Sequence, residues 1–582
     1  MTDQANQEFA PTGATTLHGM MLALAEREST APMLRFWQGD GWRGMGWGEF
    51  GQAVRRAAAG LAARGVRPGQ RVLLVSASRP EFLIADNAIM ALGAITVPTY
   101  VANTVAHHAH VIGDCAPSLA IADSAQNAAK LRQAAEMAGL DLPILVFDAG
   151  PGGPWPSWAE ALATEAPPPP FADDGEAVAC IIYTSGTGGA PRGAMLPHRA
   201  MLSNCEGVRI AGRGIPFKGG RYLSFLPMSH SYEHTAGGFL LPSLGMELVF
   251  SRGAEHLARE FQEIRPTLIT AVPRLFEVLK TRILNQLEDA GAARRWLFAR
   301  ALSLGLRKMD GPPLNPLERL EDAALERLVR ARVQARFGGG LAALISGGAR
   351  LDPELSGFFL AMGIPVLQGY GQTEAGPVVS VNLPWDNDRH TVGHPLPGVE
   401  VKVAADGEIL LRGGLLMAGY WNQPEATAAA IAPDGPGGPW LHTGDIGMLD
   451  AAGRIRITDR KKDFIKLVGG MMVAPARVEA LLTAETAITQ AVVSGEGQAA
   501  LVALLVPAEG REGDLAAAVA RVNAKLAPHE RIRRWAALDE AFSIENGLLT
   551  PSLKTRRKQV LEHHSALVRA LQSGTPHAAL PA

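Results

Sequence analysis

Cysteine is scarce in this chain: 582 residues contain three, Cys115, Cys180 and Cys205, and no C-x-x-C pair. That scarcity argues against a disulfide framework or a structural zinc site and fits a reducing compartment. Net charge is scarce too. Lys and Arg total 55 against 57 for Asp and Glu, a formal balance of −2, without the basic surplus of a nucleic-acid binder. Long apolar runs are missing. The longest candidate, GGFLLPSLGMELVF at 237–250, is shorter than a membrane span and is interrupted by Pro242 and Glu247. The first residues, MTDQANQEFAPTG, lack the charged-then-apolar pattern of a secretory signal. These absences predict a soluble cytoplasmic protein with no nucleic-acid partner.

What is present suffices for more than one core. Apolar residues make up 47% and charged residues 19%, a globular composition, and the length predicts two or more domains. Residues 48–66 carry apolar positions at helical spacing, and RPGQRVLLVSAS follows as a turn and a short strand. EFLIADNAIMALGAITVPTY reads as helix, Gly93 as breaker, then strand. This alternation predicts an α/β fold. Residues 149–175 form a Pro/Gly-rich connector, and 255–335 read as mostly helical, broken at GPPLNP. Short strands return in LAALISGG and IPVLQGYGQTE. From about 385 to 459 the pattern is short β segments between glycines. The residues after Arg460 are expected to form a separate small α/β domain.

Four stretches can carry chemistry. In YTSGTGGAPRG (183–193) a strand runs into a Ser/Thr/Gly loop that is not the Walker form. Its backbone N–H groups, the hydroxyls of Thr184, Ser185 and Thr187, and the Arg192 guanidinium can converge on an anion, or the loop can be a surface connection. GYGQTE (369–374) follows an apolar strand, where α/β sheets place ligands. There Tyr370 can stack on a base, Thr373 can bond a phosphate, and Glu374 is a hard oxygen ligand for Mg²⁺; the plainer reading is an exposed turn. In HTGD (442–445), Asp445 follows a glycine at an expected strand end and can accept ribose hydroxyls. Arg460 sits in TDRKKD, which alone reads as a solvated turn. Lys554, in NGLLTPSLKTRRKQ (546–559), would by itself be a surface lysine.

In this order and at these separations the four stretches resemble the adenylate-forming superfamily, over about residues 35–565. YTSGTGGAPRG is similar to its phosphate loop, GYGQTE to its adenine and magnesium motif, HTGD to its ribose motif and DRKKDFIK to its interdomain hinge. RPEFLIADNAIMALGAITVPTY, LPMSHSYEHTAG, VPRLFEVL and SGGARLDPEL resemble the long-chain fatty acyl-CoA synthetases within it. The resemblance implies a large N-terminal domain (1–460) of stacked α/β sheets with a small β-barrel-like part, and a small mobile C-terminal α/β domain (461–582). It implies ATP, Mg²⁺ and coenzyme A, and a fatty acid activated through acyl-AMP. Thr184, Ser185, Gly186, Thr187, Gly188, Gly189 and Arg192 would hold the β,γ-phosphates, with Thr184 and Glu374 on the metal. Tyr370 and the backbone near Gly347 and Gly348 would seat adenine, Gly371 and Thr373 would also bind the nucleotide, Asp445 would hold the ribose, and Arg460 its edge or the α-phosphate side. Lys554 would bridge the acid and ATP, and His230 would lie beside the acid. Lys462 matches the hinge. Rotation there would bring Lys466 and Gly469 toward the pantetheine passage.

The family's usual loop reads TSGTTGxPKG; here Gly188 replaces a threonine and Arg192 a lysine. Arginine keeps the charge in a planar fork, so altered nucleotide affinity is expected rather than loss. Alternatives are an acyl-AMP ligase loading a carrier protein, a ligase for medium-chain or aryl acids, and a catalytically impaired nucleotide- or acyl-binding regulator. Acyl chain length is not legible, because tunnel lining and core are both apolar. The basic segment ARRWLFARALSLGLRK (293–308), with Trp296, Leu297 and Phe298, reads either as an inward-packing helix or as a weak peripheral contact at the inner face of a membrane. Oligomeric state has no signature in the sequence.

Overall fold

A computed structural model describes residues 13–150, 152–164, 166–184, 190–288, 290–432, 438–461, 464–468, 471–550 and 555–573. Pro80 takes a first-turn position of helix Pro80–Ala91, where its missing N–H costs no bond. Gly93, at φ +68°, ends that unit and turns the chain into strand Ile95–Thr99. Every residue of the strand is buried, as its place inside a mainly parallel sheet requires.

That sheet has seven strands, in the order Gly419–Tyr420, Arg192–Pro197, Val178–Thr184, Ile95–Thr99, Arg71–Val75, Leu119–Ser124 and Ile144–Asp148. A nine-stranded sheet runs His394–Pro395, Val378–Val381, Val366–Gly371, Ala343–Ser346, Leu268–Ala271, Arg221–Ser224, Glu247–Phe250, Pro32–Gln38 and Gly41–Gly46. Its strands from Val366–Gly371 to Pro32–Gln38 are mutually parallel. One core joins Leu74 and Ile182 of the first sheet to Leu248 and Leu367 of the second through Phe82, Leu83 and Phe239. Stacked α/β layers follow from these helices apolar on more than one side. A five-stranded antiparallel sheet, Val399–Val403, Glu408–Gly413, Trp440–Leu449, Ile431–Ala432 and Ile455–Arg460, forms the expected β-rich part; its hydrogen-bonded order is open.

The C-terminal residues build cores of their own. Two clusters draw only on residues from Ile465 to Leu571. They surround a three-stranded sheet, Ile488–Ser494, Leu501–Pro507 and Ile532–Ala537, with helices Pro475–Thr483 and Leu515–Lys525.

Local readings needed adjustment in three places. Helix Trp47–Ala63 starts one residue before the expected 48 and ends before 66. Within 255–335, helices Leu257–Ile264 and Pro273–Glu288 flank the buried strand Leu268–Ala271. Three apolar residues and Thr270 are too few to show a period, so pattern alone could not separate this strand from its neighbours. The connector is not all loop: Ser157 caps a short helix Trp158–Leu162. Trp158, 5% exposed, packs edge-on against Phe147 at 5.1 Å. The break at GPPLNP is observed, with helix Ala292–Asp310 ending before it and helix Pro316–Leu325 beginning at its last residue.

Trp158→Ala should therefore behave as a core deletion and destabilise the N-terminal part by about 3–5 kcal/mol. Urea unfolding followed by fluorescence measures this. An unchanged midpoint would mean the segment is a loose linker.

Candidate nucleotide and acyl site

Two described strands flank the glycine-rich stretch. Strands Val178–Thr184 and Arg192–Pro197 are antiparallel, and Thr184 stands opposite Arg192 at the loop's neck. Ser185, Gly186, Thr187, Gly188 and Gly189 lie outside the described residues. The Arg192 guanidinium sits 5.6 Å from the Tyr420 ring centre, and the Tyr420 hydroxyl donates to Glu374 Oε1 at 2.8 Å. Burial, then the neighbouring Glu374, raise the Tyr420 phenol above its ordinary range, so it stays a donor. Cation, aromatic ring and carboxylate thus form one chain of contacts beside Thr184 and Arg192. Tyr420 was missed in the sequence, where Gly-Tyr-Trp at 419–421 gave only a weak signal.

Glu374 belongs to a short turn, Thr373–Ala375, after strand Val366–Gly371. Thr373 shares a hydrogen bond with Ser231 at 2.8 Å. Gly371 answers a packing need: a Cβ there would stand 2.0 Å from the Pro377 carbonyl oxygen. At Gly347 a Cβ would stand 2.8 Å from the Tyr232 ring, and Gly348 has φ +75°.

Asp445 and Arg460 are cross-strand partners. The expectation of a strand end at Asp445 is corrected, since it lies inside Trp440–Leu449; in TDRKKD the solvated-turn reading is corrected for Thr458–Arg460, which complete strand Ile455–Arg460, and Lys461 begins a turn. Gly444, at φ +70°, and the register shift after Ile446 bend the strand there. Asp445 is 3% exposed; Oδ2 accepts from the Tyr370 hydroxyl at 2.6 Å and Oδ1 lies 3.1 Å from Arg460 Nε. Burial, then Asp445, raise the Tyr370 phenol well above its ordinary value and keep it a donor. Two acceptor positions per carboxylate oxygen leave room for sugar hydroxyls beside these bonds.

Helix Ser231–Thr235 closes another wall. His230 caps it, its Nδ1 accepting the Tyr232 N–H at 3.1 Å. Glu233 is fully buried and accepts hydroxyl protons from Tyr222, Ser224 and Thr270 at 2.6–2.9 Å. Burial pushes its carboxyl up to about 7, although those three donors pull the other way.

Thr184, Arg192, His230, Gly347, Gly348, Tyr370, Gly371, Thr373, Glu374, Asp445 and Arg460 all line one cavity of about 2180 Å³. Val208, Ala211, Ile215, Phe217, Ala236 and Leu240 give it an apolar wall. Glu545, Thr550, Thr555 and Arg557 face it from the C-terminal side. Lys466 does not line it; that residue is exposed in the hairpin Ile465–Lys466/Met472–Val473, its N–H bonded to Glu496. Lys462, Gly469 and Lys554 lie outside the described residues. Among the described residues no cluster of three or more His, Cys, Asp or Glu could hold a metal. Glu374 with Thr184 suits Mg²⁺ nonetheless, because that ion keeps waters and phosphate oxygens and uses one or two protein ligands. Among the described residues no helix is long and apolar enough to cross a membrane.

Two α/β sheets, an antiparallel sheet and a small C-terminal α/β unit around one polar-and-apolar cavity define the class. The same fold occurs in the adenylation domain of a carboxylate reductase from Mycobacterium chelonae (TM-score 0.78, 22% identity, 98% of this chain and 93% of that one). It also occurs in ATP-bound MatB from Rhodopseudomonas palustris (TM-score 0.74, 23% identity, 95% and 100%). The profile of the AMP-binding enzymes matches residues 23–421, and that of the AMP-binding enzyme C-terminal domain matches 462–574. The chain belongs to the AMP-binding enzyme family. It is 32% identical to the long-chain-fatty-acid–CoA ligase FadD15 of Mycobacterium tuberculosis, over 91% of this chain and 92% of that protein. It is 28% identical to the human long-chain-fatty-acid–CoA ligase 1, over 87% and 79%.

Tyr420→Phe keeps the ring under Arg192 and removes the bond to Glu374. ATP–pyrophosphate exchange should fall about 10- to 100-fold, the usual worth of a hydrogen bond to a charged group; an unchanged rate would exclude the chain of contacts from function. Glu233 gives a pH test. Its carboxyl rises from 4.5 to about 7 on folding, so the folded state holds an extra proton between those values. The stability that this group contributes is fully present below 4.5 and is lost as pH rises through about 7. Thermal melts should show this slope, and Glu233→Gln should flatten it.

Proposed function

We propose that this protein activates a long-chain fatty acid with ATP, through acyl-AMP, to acyl-CoA, releasing AMP and pyrophosphate. The observation that carries the reading is the convergence of residues from four separate stretches on one cavity that also has an apolar wall. The long-chain-fatty-acid–CoA ligases among its relatives support the acid and the acceptor.

The chemistry follows from the leaving group. A thiol cannot expel oxide from a carboxylate, so one carboxylate oxygen first attacks the α-phosphorus of ATP and pyrophosphate departs. The coenzyme A thiol then displaces AMP. Both steps gather anions, so charge placement and alignment dominate. In this proposal Arg192, Thr184 and the loop through Gly189 hold the departing pyrophosphate. Glu374 and Thr184 hold Mg²⁺, which when bound neutralises phosphate charge. Gly347, Gly348 and Tyr370 border the base, and Asp445 with Arg460 takes the ribose. His230 and Ser231 stand beside the acid, whose chain runs along Val208, Ala211, Ile215 and Phe217.

We place the domain boundary after Arg460, with Lys462 as the hinge and Lys554 serving adenylation only. Thr550 and Thr555, on either side of residues 551–554, line the cavity while Lys466 stands away from it. That arrangement favours the adenylation half of the cycle, with a rotation needed for thioester formation.

Lys554→Ala should lower adenylation by at least about a hundredfold while preformed acyl-AMP still yields thioester; loss of both half-reactions together would contradict the division of roles. The identity of acid and acceptor is tested with a chain-length series, offering coenzyme A or a carrier protein as acceptor. Turnover should peak with long acids and coenzyme A. Preference for a carrier would make the protein an acyl-AMP ligase, and no pyrophosphate release with any acid would make it a binding regulator.

A further inference from the structure

The basic segment 293–308 turns most of its apolar side chains inward. Phe298 is buried and Leu297 half-buried, leaving Trp296 exposed at 62%. The unpartnered apolar surface lies on the next helical run, Pro316–Leu325 continuing through Glu326–Arg330 to Ala331–Arg336. One face of that run packs inward through Leu325, Val329 and Val333. The other presents Leu317, Leu320, Ala324 and Leu328 to solvent, at i, i+3, i+7 and i+11, with the leucines 78%, 71% and 48% exposed. Those intervals place the four on one stripe. Scattered exposed leucines need no explanation, but a stripe of them does.

Charge selects what covers the stripe. The acids of this run are already neutralised within the chain: Glu318 by Arg307, Glu321 by Arg300 at 2.7 Å, and Asp322 by Lys308 and Arg330 at 2.9 and 2.8 Å. Glu326 is bonded to Arg330 and Gln334. Arg327 and Arg332 remain exposed, and among the described residues no carboxylate pairs with either. An apolar stripe bordered by unneutralised arginines suits an anionic lipid surface, with leucines in the acyl boundary and guanidinium groups at the phosphates. A second copy of this chain suits it less, since a two-fold contact of the stripe with itself would gather the same arginines from both subunits.

We propose that the stripe Leu317–Leu320–Ala324–Leu328, with Arg327 and Arg332, docks this protein on an anionic bilayer. The inward side of this helical run shares a core with a helix of the cavity wall. Helix Pro273–Glu288 contributes Arg274, Val278, Thr281 and Leu284 to the cavity wall, and Leu284 joins the same core as Leu325 and Val329. Docking there would hold the enzyme at the phase in which long apolar acids concentrate.

The test is flotation of the full-length protein with vesicles of phosphatidylcholine containing phosphatidylglycerol, against phosphatidylcholine alone, at low and high salt. The wild type should float with anionic vesicles and lose that binding in neutral vesicles or high salt. Leu317→Gln/Leu320→Gln/Leu328→Gln and, separately, Arg327→Glu/Arg332→Glu should each cut the bound fraction about tenfold or more. Near-ultraviolet circular dichroism and turnover of acid supplied in solution should stay at wild-type values in both. The proposal is overturned if the wild type ignores anionic vesicles or if both variants bind them as it does. It is equally overturned if the leucine variant turns a dimer into a monomer without any vesicle binding, which would assign the stripe to a second copy. Vesicle binding is read independently of the proposed ligase activity.

Discussion

A buried carboxylate joins the two halves of the catalytic wall. Asp445 belongs to the antiparallel sheet, yet one of its oxygens is held by Tyr370 from the nine-stranded sheet and the other by Arg460 across the strand. A carboxylate at 3% exposure is tolerated only when paired and hydrogen-bonded. Stranding it would cost about 3–5 kcal/mol, the usual penalty for an uncompensated buried charge. The sheets are therefore fixed to each other at the point where the proposed function puts a nucleotide sugar. The same three residues read as ligand contacts and as structural fasteners, and the two roles support each other: a site held rigid before binding loses little on binding.

A second tie is helix Ser231–Thr235. In helix Ser231–Thr235, Ser231 reaches Thr373, Tyr232 packs on Gly347, and Glu233 is bonded to Tyr222, Ser224 and Thr270 on two parallel strands. His234 Nε2 comes within 3.0 Å of Asp86 Oδ2, both side chains fully buried, though off a hydrogen-bond direction. Consecutive residues thus bond in different directions, and the chain next adopts the wide turn Ala236–Leu240, whose Ala236 and Leu240 line the cavity. Wide turns of this kind are frequent at functional sites. His230 inherits its position from this helix, so its setting depends on neighbours that never meet a substrate.

Much of this was legible in sequence because the information is local. Gly93 ends a helix and makes a turn through its own backbone freedom, and the break at GPPLNP needs nothing beyond proline. Ordered motifs also led to residues that line one cavity, since each supplies its group from a short segment. What sequence could not supply was non-local. Tyr420 matters only because a distant strand pairs with Arg192–Pro197 and brings its ring beneath Arg192. Asp445 and Arg460 were read as a strand end and a turn, because polar residues in mid-strand look like loops until their partners are known. The short strand Leu268–Ala271 was hidden for lack of length.

The departure of Arg192 from the lysine of related loops now has a physical setting. Its planar cation lies over an aromatic ring, a contact that suits guanidinium better than ammonium, and the ring's hydroxyl orients Glu374. The central claim is that the cavity joins a fatty carboxylate to the α-phosphorus of ATP, and the most direct test follows the oxygen. The protein is incubated with ATP, Mg²⁺, coenzyme A and palmitate labelled with oxygen-18 in its carboxylate, and the products are weighed by mass spectrometry. The account predicts one labelled oxygen in AMP and none in pyrophosphate. Label in inorganic phosphate, or AMP without label, would contradict it.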